Sequence, residues 1–339
     1  MNYPNKSTVG LVLVGGGAKG AYQVGALKYL DEIGLNPHII AGSSIGALNG
    51  AVLVSNGTFS QSVQRLDQLW TDLGEAEILR PNAGLMKPLI SYGLQSTVPM
   101  FREWMLSFLY EIGILEDRKS IFNPVPIEFF LCQAVKPELL RNGTELWITA
   151  FPSLNIPYID NDLLLAAIDF FRSRMGTKAD WFCVQDCDDN DTLYNTILAS
   201  AAIPLAFPKR QVNGKNYIDG ALADNVPLGA LAAKGCTHAI VIHLENGLTW
   251  DRYDFPDQTI IEIRPEQSIN KSDAFLIAEG SALLDFSPER ISELKRRGYA
   301  DARRCMDNII RTFTVIGDQR TSRDALIHST QLLAEDNPV

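Results

Sequence analysis

Gly42-Ser43-Ser44-Ile45-Gly46, entered from the apolar run His38 to Ala41 and left through the small-residue run Ala47 to Ala51, decides the reading of this chain. The five residues match G-x-S-x-G in the context that such a match needs, a strand running into a helix across a sharp turn, which lifts a serine out of the backbone as a nucleophile elbow. Gly42 and Gly46 let the chain and a substrate come close to Ser44. The helix that follows aims its N-terminal N–H groups at the place where negative charge develops during acyl transfer. An elbow of this kind presents its hydroxyl outward, so Ser44→Ala is expected to leave thermal unfolding nearly unchanged.

Upstream, Val9 to Val14 is a β-branched apolar run closed by Gly15-Gly16-Gly17, and a helical pattern follows through Tyr22, Val24, Ala26, Leu27 and Leu30 up to Gly34. The first fifty-odd residues therefore alternate β-α-β-α, as a parallel sheet requires. Downstream, residues 74–123 lose this pattern to prolines, glycines and aromatics around one amphipathic stretch, Phe101 to Tyr110, and read as an insertion or lid. Strand-like runs resume at Ile127 to Val135, Leu146 to Phe151, Ala239 to Leu244 and Ile260 to Ile263, so one sheet draws on the whole chain. Ser287 as N-cap with Pro288 at the first helical position opens a charged helix through about Ile310.

The loop Gly15-Gly16-Gly17-Ala18-Lys19-Gly20 also fits G-x-G-x-x-G, the dinucleotide fingerprint. That reading needs an acidic residue at the end of the second strand, which instead ends in Ala41-Gly42-Ser43-Ser44. A phosphate-binding P-loop fails as well, since Ala21-Tyr22 stand where Lys-Ser/Thr is required. An oxyanion hole fits better: consecutive glycines leave N–H groups unobstructed, and parallel strands bring the loop beside the Ser44 elbow. Lys19 either adds positive charge there or sits on the surface.

A serine needs a neighbour to take its proton. Of the 4 histidines, His38 precedes Ser44 on the same strand and lies roughly 20 Å away at about 3.3 Å per residue. His238 opens its strand and His328 lies in the C-terminal tail, which leaves His243. The other candidate is Asp219 in Tyr217-Ile218-Asp219-Gly220-Ala221. With an ordinary pKa near 3.9, an aspartate is a weak base unless it touches the serine in a water-poor site. The residues alone leave open a Ser44–Asp219 dyad and a Ser44, Asp219, His243 triad.

The chain has 339 residues and is 46% hydrophobic, enough for a sizeable core. Its net charge of −10 opposes binding to nucleic acid by electrostatics. Lys295, Arg296, Arg297, Arg303 and Arg304 form a local basic cluster, read as a solvated helix face or a contact for lipid phosphates. The 5 cysteines lack paired C-x-x-C spacing, which argues against a disulfide framework or zinc site; Cys183 and Cys187 among acidic residues read as a surface loop. Met1 to Thr8 is polar and no run approaches a membrane span, so a cytoplasmic protein is expected, peripheral at the inner membrane face if it meets lipid.

The glycine loop, the elbow and Asp219-Gly220-Ala221, in that order, resemble the patatin-like phospholipases, whose signature joins them in a Ser-Asp dyad without histidine. Ala199 to Pro204 with Phe207-Pro208, and Asp285 to Tyr299, are also similar to bacterial members, so the resemblance covers about residues 9 to 310. Lys19 stands where arginine is more usual, and Val14 where many members have aspartate. The resemblance implies a three-layer α/β/α fold over residues 9–312, an insertion at about 74–123 and a helical tail at 313–339. It implies Ser44 as nucleophile, Asp219 as base, and an oxyanion hole in Gly15, Gly16, Gly17, Ala18, Lys19 and Gly20, centred on the N–H groups of Gly16, Gly17 and Ala18. No metal or cofactor is needed, and the expected substrate is a glycerophospholipid or lysophospholipid at a membrane surface. Leu85, Met86, Leu89, Ile90, Tyr92, Met100, Phe101 and Trp104 of the insertion would wall the acyl chain. Two alternatives stand beside this: a histidine-based esterase, whose elbow normally follows several strands, and a latent membrane-degrading effector of anti-phage defence that a cyclic oligonucleotide activates.

Overall fold

The computed structural model describes residues 8–75, 131–155, 162–204, 207–247, 250–269 and 286–335. Within them lies one 8-stranded sheet in the order β5-β6-β3-β2-β1-β7-β8, with β4 also paired to β3. Its strands are β1 (Val9–Leu13), β2 (Ile39–Gly42), β3 (Glu145–Pro152), β4 (Asp180–Cys183), β5 (Arg210–Val212), β6 (Lys215–Asp219), β7 (His238–Ile242) and β8 (Thr259–Ile263). The contiguous pairs β3-β2, β2-β1, β1-β7 and β7-β8 are parallel; β4, β5 and β6 are added antiparallel. The expected mostly parallel α/β sheet is therefore present.

Alternation along the central strands builds a core on each face of the sheet. Leu11 and Leu13 of β1, Ile40 of β2 and Ile240 and Ile242 of β7 point into one core, shared with α1 (Gly20–Glu32), α2 (Ile45–Val54), α3 (Phe59–Glu75) and the last helix. Val12 and Val14, Ile39 and Ala41, and Ala239 and Val241 point into the other, with Leu228 and Leu231. Two helices complete that layering where they matter here: α4 (Asn190–Ser200) lies against the first face and α5 (Leu228–Ala233) covers the second. The arrangement is three layers, helix on sheet on helix.

The last helix, α6 (Pro288–Glu335), starts at the expected proline, with the Ile291 N–H donating to Ser287 O at 2.9 Å. It runs unbroken through 48 residues, well past Ile310. Its first half crosses α1 closely because Gly25 meets the Lys295 carbonyl and Gly298 meets the Tyr22 carbonyl; a methyl group at either position would overlap that oxygen. Tyr22 Oη donates to Asp301 at 3.0 Å and Tyr299 Oη to Glu32 at 2.6 Å on the two flanks of this crossing.

The strand-like run Ile127 to Val135 is corrected where it is described: residues 131–134 are helical. Leu131, Ala134 and Val135 are all buried at a spacing of three and four, a helical period that a short apolar run disguises. The insertion at 74–123, with its expected acyl wall, falls almost wholly outside the described residues.

Candidate active site

Parallel register sets the site. Leu13 pairs with Gly42, so the glycine loop after β1 and the elbow after β2 leave the same sheet edge side by side. At the turn Ser44 has φ 52 and ψ −125, a left-handed backbone that a side chain adopts only under strain. Gly42 and Gly46 make that turn possible. A methyl group at 42 would overlap the Gly46 carbonyl, and one at 46 would overlap the Leu13 carbonyl. The Ser44 N–H donates to Ser200 Oγ at 3.0 Å from the end of α4, which braces the strained residue. Contrary to an outward-facing hydroxyl, Ser44 is only 5% exposed.

Asp219 reaches the same edge from the opposite direction. An antiparallel strand normally ends at the far edge, but β6 is short and offset: Asp219 pairs with Ala150 of β3, two residues beyond Ile148, which pairs with Gly42. Its Oδ2 accepts from Ser44 Oγ at 2.7 Å, and its Oδ1 accepts from the Ala221 N–H at 2.9 Å. Burial removes water from the carboxylate and pushes its pKa up to about 7, although the Ser44 and Ala221 hydrogen bonds favour the ionised form. A group that would be a weak base in water is thereby tuned to neutral pH.

The hydrogen-bond inventory of the glycine loop is selective. The Gly15 N–H is taken by Asn225 Oδ1 at 2.8 Å, the Lys19 N–H by Gly16 O at 3.2 Å, and the Gly20 N–H by carbonyls of the same turn. Among the described residues, the N–H groups of Gly16, Gly17 and Ala18 have no acceptor. Three adjacent donors are thus left free beside a buried serine, while the N–H groups of Gly15, Lys19 and Gly20 shape the loop. Lys19 is no surface lysine: it is buried, with Nζ 4.0 Å from Glu245 Oε1.

His243 is not brought to the serine. It follows β7, two strands from β2 in the sheet, and its Nε2 lies 3.1 Å from Glu262 Oε2 of β8, on the side away from β1. Its ring stacks on Trp250, and burial, helped by the nearby Arg264, lowers its pKa to about 4. The basic cluster is largely committed within the chain. Lys295 pairs with Asp67 at 2.9 Å, Arg297 with Glu293 at 3.5 Å, Arg303 with Asp307 at 3.5 Å, and Arg304 with Asp301 at 2.9 Å and with Glu266. Cys183 and Cys187 turn their thiols to Gln185 and Thr196. Among the described residues no helix is long and apolar enough to cross a membrane.

Ser200, Asn225 and Thr149 are among the residues that escaped the sequence reading. Ser200 sits in the quoted stretch Ala199 to Pro204, but nothing local marks it as the partner of the Ser44 N–H. Asn225 follows Asp219 closely yet acts on Gly15, and Thr149, fully buried, donates to Ser43 Oγ at 2.9 Å. Each is a contact between distant parts of the chain.

The chain was compared with known proteins. A family model described as patatin-like phospholipase matches residues 11–232. Lysophospholipase nte1 of Aspergillus terreus is 60% identical over 45 residues, 13% of this chain and 3% of that protein. Patatin-like phospholipase domain-containing protein 7 of Mus musculus is 39% identical over 85 residues, 25% of this chain and 6% of that protein. The chain thus spans only a small part of these relatives. Among solved structures, VipD from Legionella pneumophila aligns with a TM-score of 0.47 and 13% identity, covering 89% of this chain and 67% of that one. The family match takes in the glycine loop, the elbow and Asp219 together and extends over more than half of the chain, which belongs to the patatin-like phospholipase family.

Proposed function

We propose that this protein is a serine lipid acyl hydrolase that works through a Ser44–Asp219 dyad. The observation that carries the reading is the 2.7 Å hydrogen bond from Ser44 Oγ to a buried Asp219 carboxylate whose pKa is raised to about 7. Ser44 Oγ attacks the acyl carbonyl carbon while Asp219 takes the hydroxyl proton. The carbonyl oxygen becomes an oxyanion held by the N–H groups of Gly16, Gly17 and Ala18 at the positive end of α2. On collapse, Asp219 returns the proton to the departing alcohol oxygen and the acyl group stays on Ser44. Water then attacks the acyl-enzyme with Asp219 again as base, and Asp219 gives that proton to Ser44 Oγ as the acyl–oxygen bond breaks, releasing the fatty acid and restoring the serine. Family membership supports a glycerophospholipid or lysophospholipid as the ester.

The reading is tested by incubating the protein with a fluorophosphonate and locating the adduct by peptide mass spectrometry. The adduct is expected on the peptide containing Ser44, absent from Ser44→Ala, and reduced by about a thousandfold or more in rate in Asp219→Asn. His243→Ala should keep most of the labelling rate. A His243→Ala protein that stays folded but is no longer labelled would assign the triad instead.

A further inference from the structure

The peptide unit joining Val14 to Gly15 stands at the root of the glycine loop, and side chains from elsewhere in the chain hold it at both ends. Its carbonyl oxygen accepts from Gln23 Nε2 at 2.7 Å. Its N–H, on Gly15, donates to Asn225 Oδ1 at 2.8 Å. Gln23 lies on α1 and is fully buried, whereas Asn225 comes from the segment after Asp219.

Behind Gln23 runs a further polar chain. Asn49 Nδ2 donates to Gln23 Oε1 at 2.8 Å and to Gly20 O at 3.3 Å, and Trp70 Nε1 donates to Asn49 Oδ1 at 2.9 Å. Asn49 and Trp70 are each 2% exposed, so no water competes for these groups. An indole N–H can only donate. It therefore turns the Asn49 oxygen towards α3 and the Asn49 nitrogen towards Gln23, which turns the Gln23 oxygen to Asn49 and its nitrogen to Val14. Neither amide can flip without leaving a buried donor facing a donor.

We infer that Gln23 and Asn225 are positioning residues that lock the Val14–Gly15 peptide, with Asn49 and Trp70 fixing the amide of Gln23. The lock holds the three free N–H groups of Gly16, Gly17 and Ala18 in place before substrate arrives. Glycine peptides rotate at little steric cost, so a loop this rich in glycine needs an external anchor if its donors are to be preorganised. The inference rests on the proposed role of the loop as the oxyanion site, but the lock itself is observable without turnover.

The test measures Gly15 amide hydrogen exchange by NMR, and the rate and binding constant of fluorophosphonate capture, in wild type, Asn225→Leu, Asn225→Asp, Gln23→Met and Trp70→Phe. Gly15 exchange is expected to quicken by about tenfold or more in Asn225→Leu and Gln23→Met relative to core amides such as Leu11, and Asn225→Asp, which keeps the acceptor oxygen, should stay protected. The capture rate at saturating probe should fall by about tenfold or more in those two variants with the binding constant unchanged. Trp70→Phe keeps an aromatic ring against Phe286 while removing the donor and part of the ring volume, and it serves if the others fail to fold. It should move both readouts the same way by a smaller factor. Wild-type exchange and capture in folded Trp70→Phe and Asn225→Leu would overturn the inference. A wild type that is not captured at Ser44 would overturn the oxyanion reading instead, and Gly15 exchange would still decide the lock.

Discussion

At Asp219 one property serves two opposed ends. Burial lifts its pKa from 3.8 to about 7, which suits a base working at neutral pH and costs stability. Below pH 3.8 the carboxyl is protonated in both folded and unfolded chains. From there to about pH 7 only the unfolded carboxyl ionises, so stability falls across that window, by on the order of 4 kcal/mol if the whole shift is expressed. Asp219→Asn keeps the shape without the charge. It should unfold at a higher temperature than wild type at pH 8, with the gap closing towards pH 4, and thermal scans at both pH values check this. Wild-type kcat/KM should rise through about pH 7 and level off above it, following the ionised base. The serine and its glycines were legible because an elbow is a local motif. Asp219 was legible as a candidate only, since Asp-Gly is an ordinary turn, and the contact that distinguishes it spans 175 residues. Asn225 and Gln23 had no legible signal, because an amide side chain declares its role only through what lies opposite.

At the scale of elements, the central strands and the β8 edge were readable from the sequence, while β4 and β5 were not. Residues of β1, β2 and β7 are buried on both faces and therefore appear as continuous apolar runs. The strands β4, Asp180-Trp181-Phe182-Cys183, and β5, Arg210-Gln211-Val212, are short and mostly half-buried or exposed, so no apolar pattern marks them. The α1–α6 crossing shows the same limit, since Gly25 and Gly298 look like helix-weakening residues until both carbonyls come into view. Neither position has room for a methyl group. Gly25→Ala and Gly298→Ala should each destabilise the protein by about 2 kcal/mol or more despite alanine's better helix propensity, and denaturant titration measures it. A gain in stability at either position would show that the helices separate freely.

For the whole molecule, the sheet edge explains why distant motifs converge: the glycine loop, the elbow and an offset antiparallel strand all open at one end of the sheet, above two separately packed cores. The overall charge is −10, and among the described residues Lys295, Arg297, Arg303 and Arg304 of the basic helix are paired within the chain. Hydrolysis should then depend on the ester, with little gain from anionic lipid or loss in added salt. The most direct measurement is fatty-acid release from phosphatidylcholine vesicles, with and without anionic lipid, by wild type, Ser44→Ala and Asp219→Asn, with the products identified by mass spectrometry. The account predicts fatty acid and lysolipid from wild type and essentially none from either variant. Equal release by Ser44→Ala, or none from wild type under any condition, would contradict it; release that appears only once a cyclic oligonucleotide is added would keep the dyad and assign the ligand-activated effector.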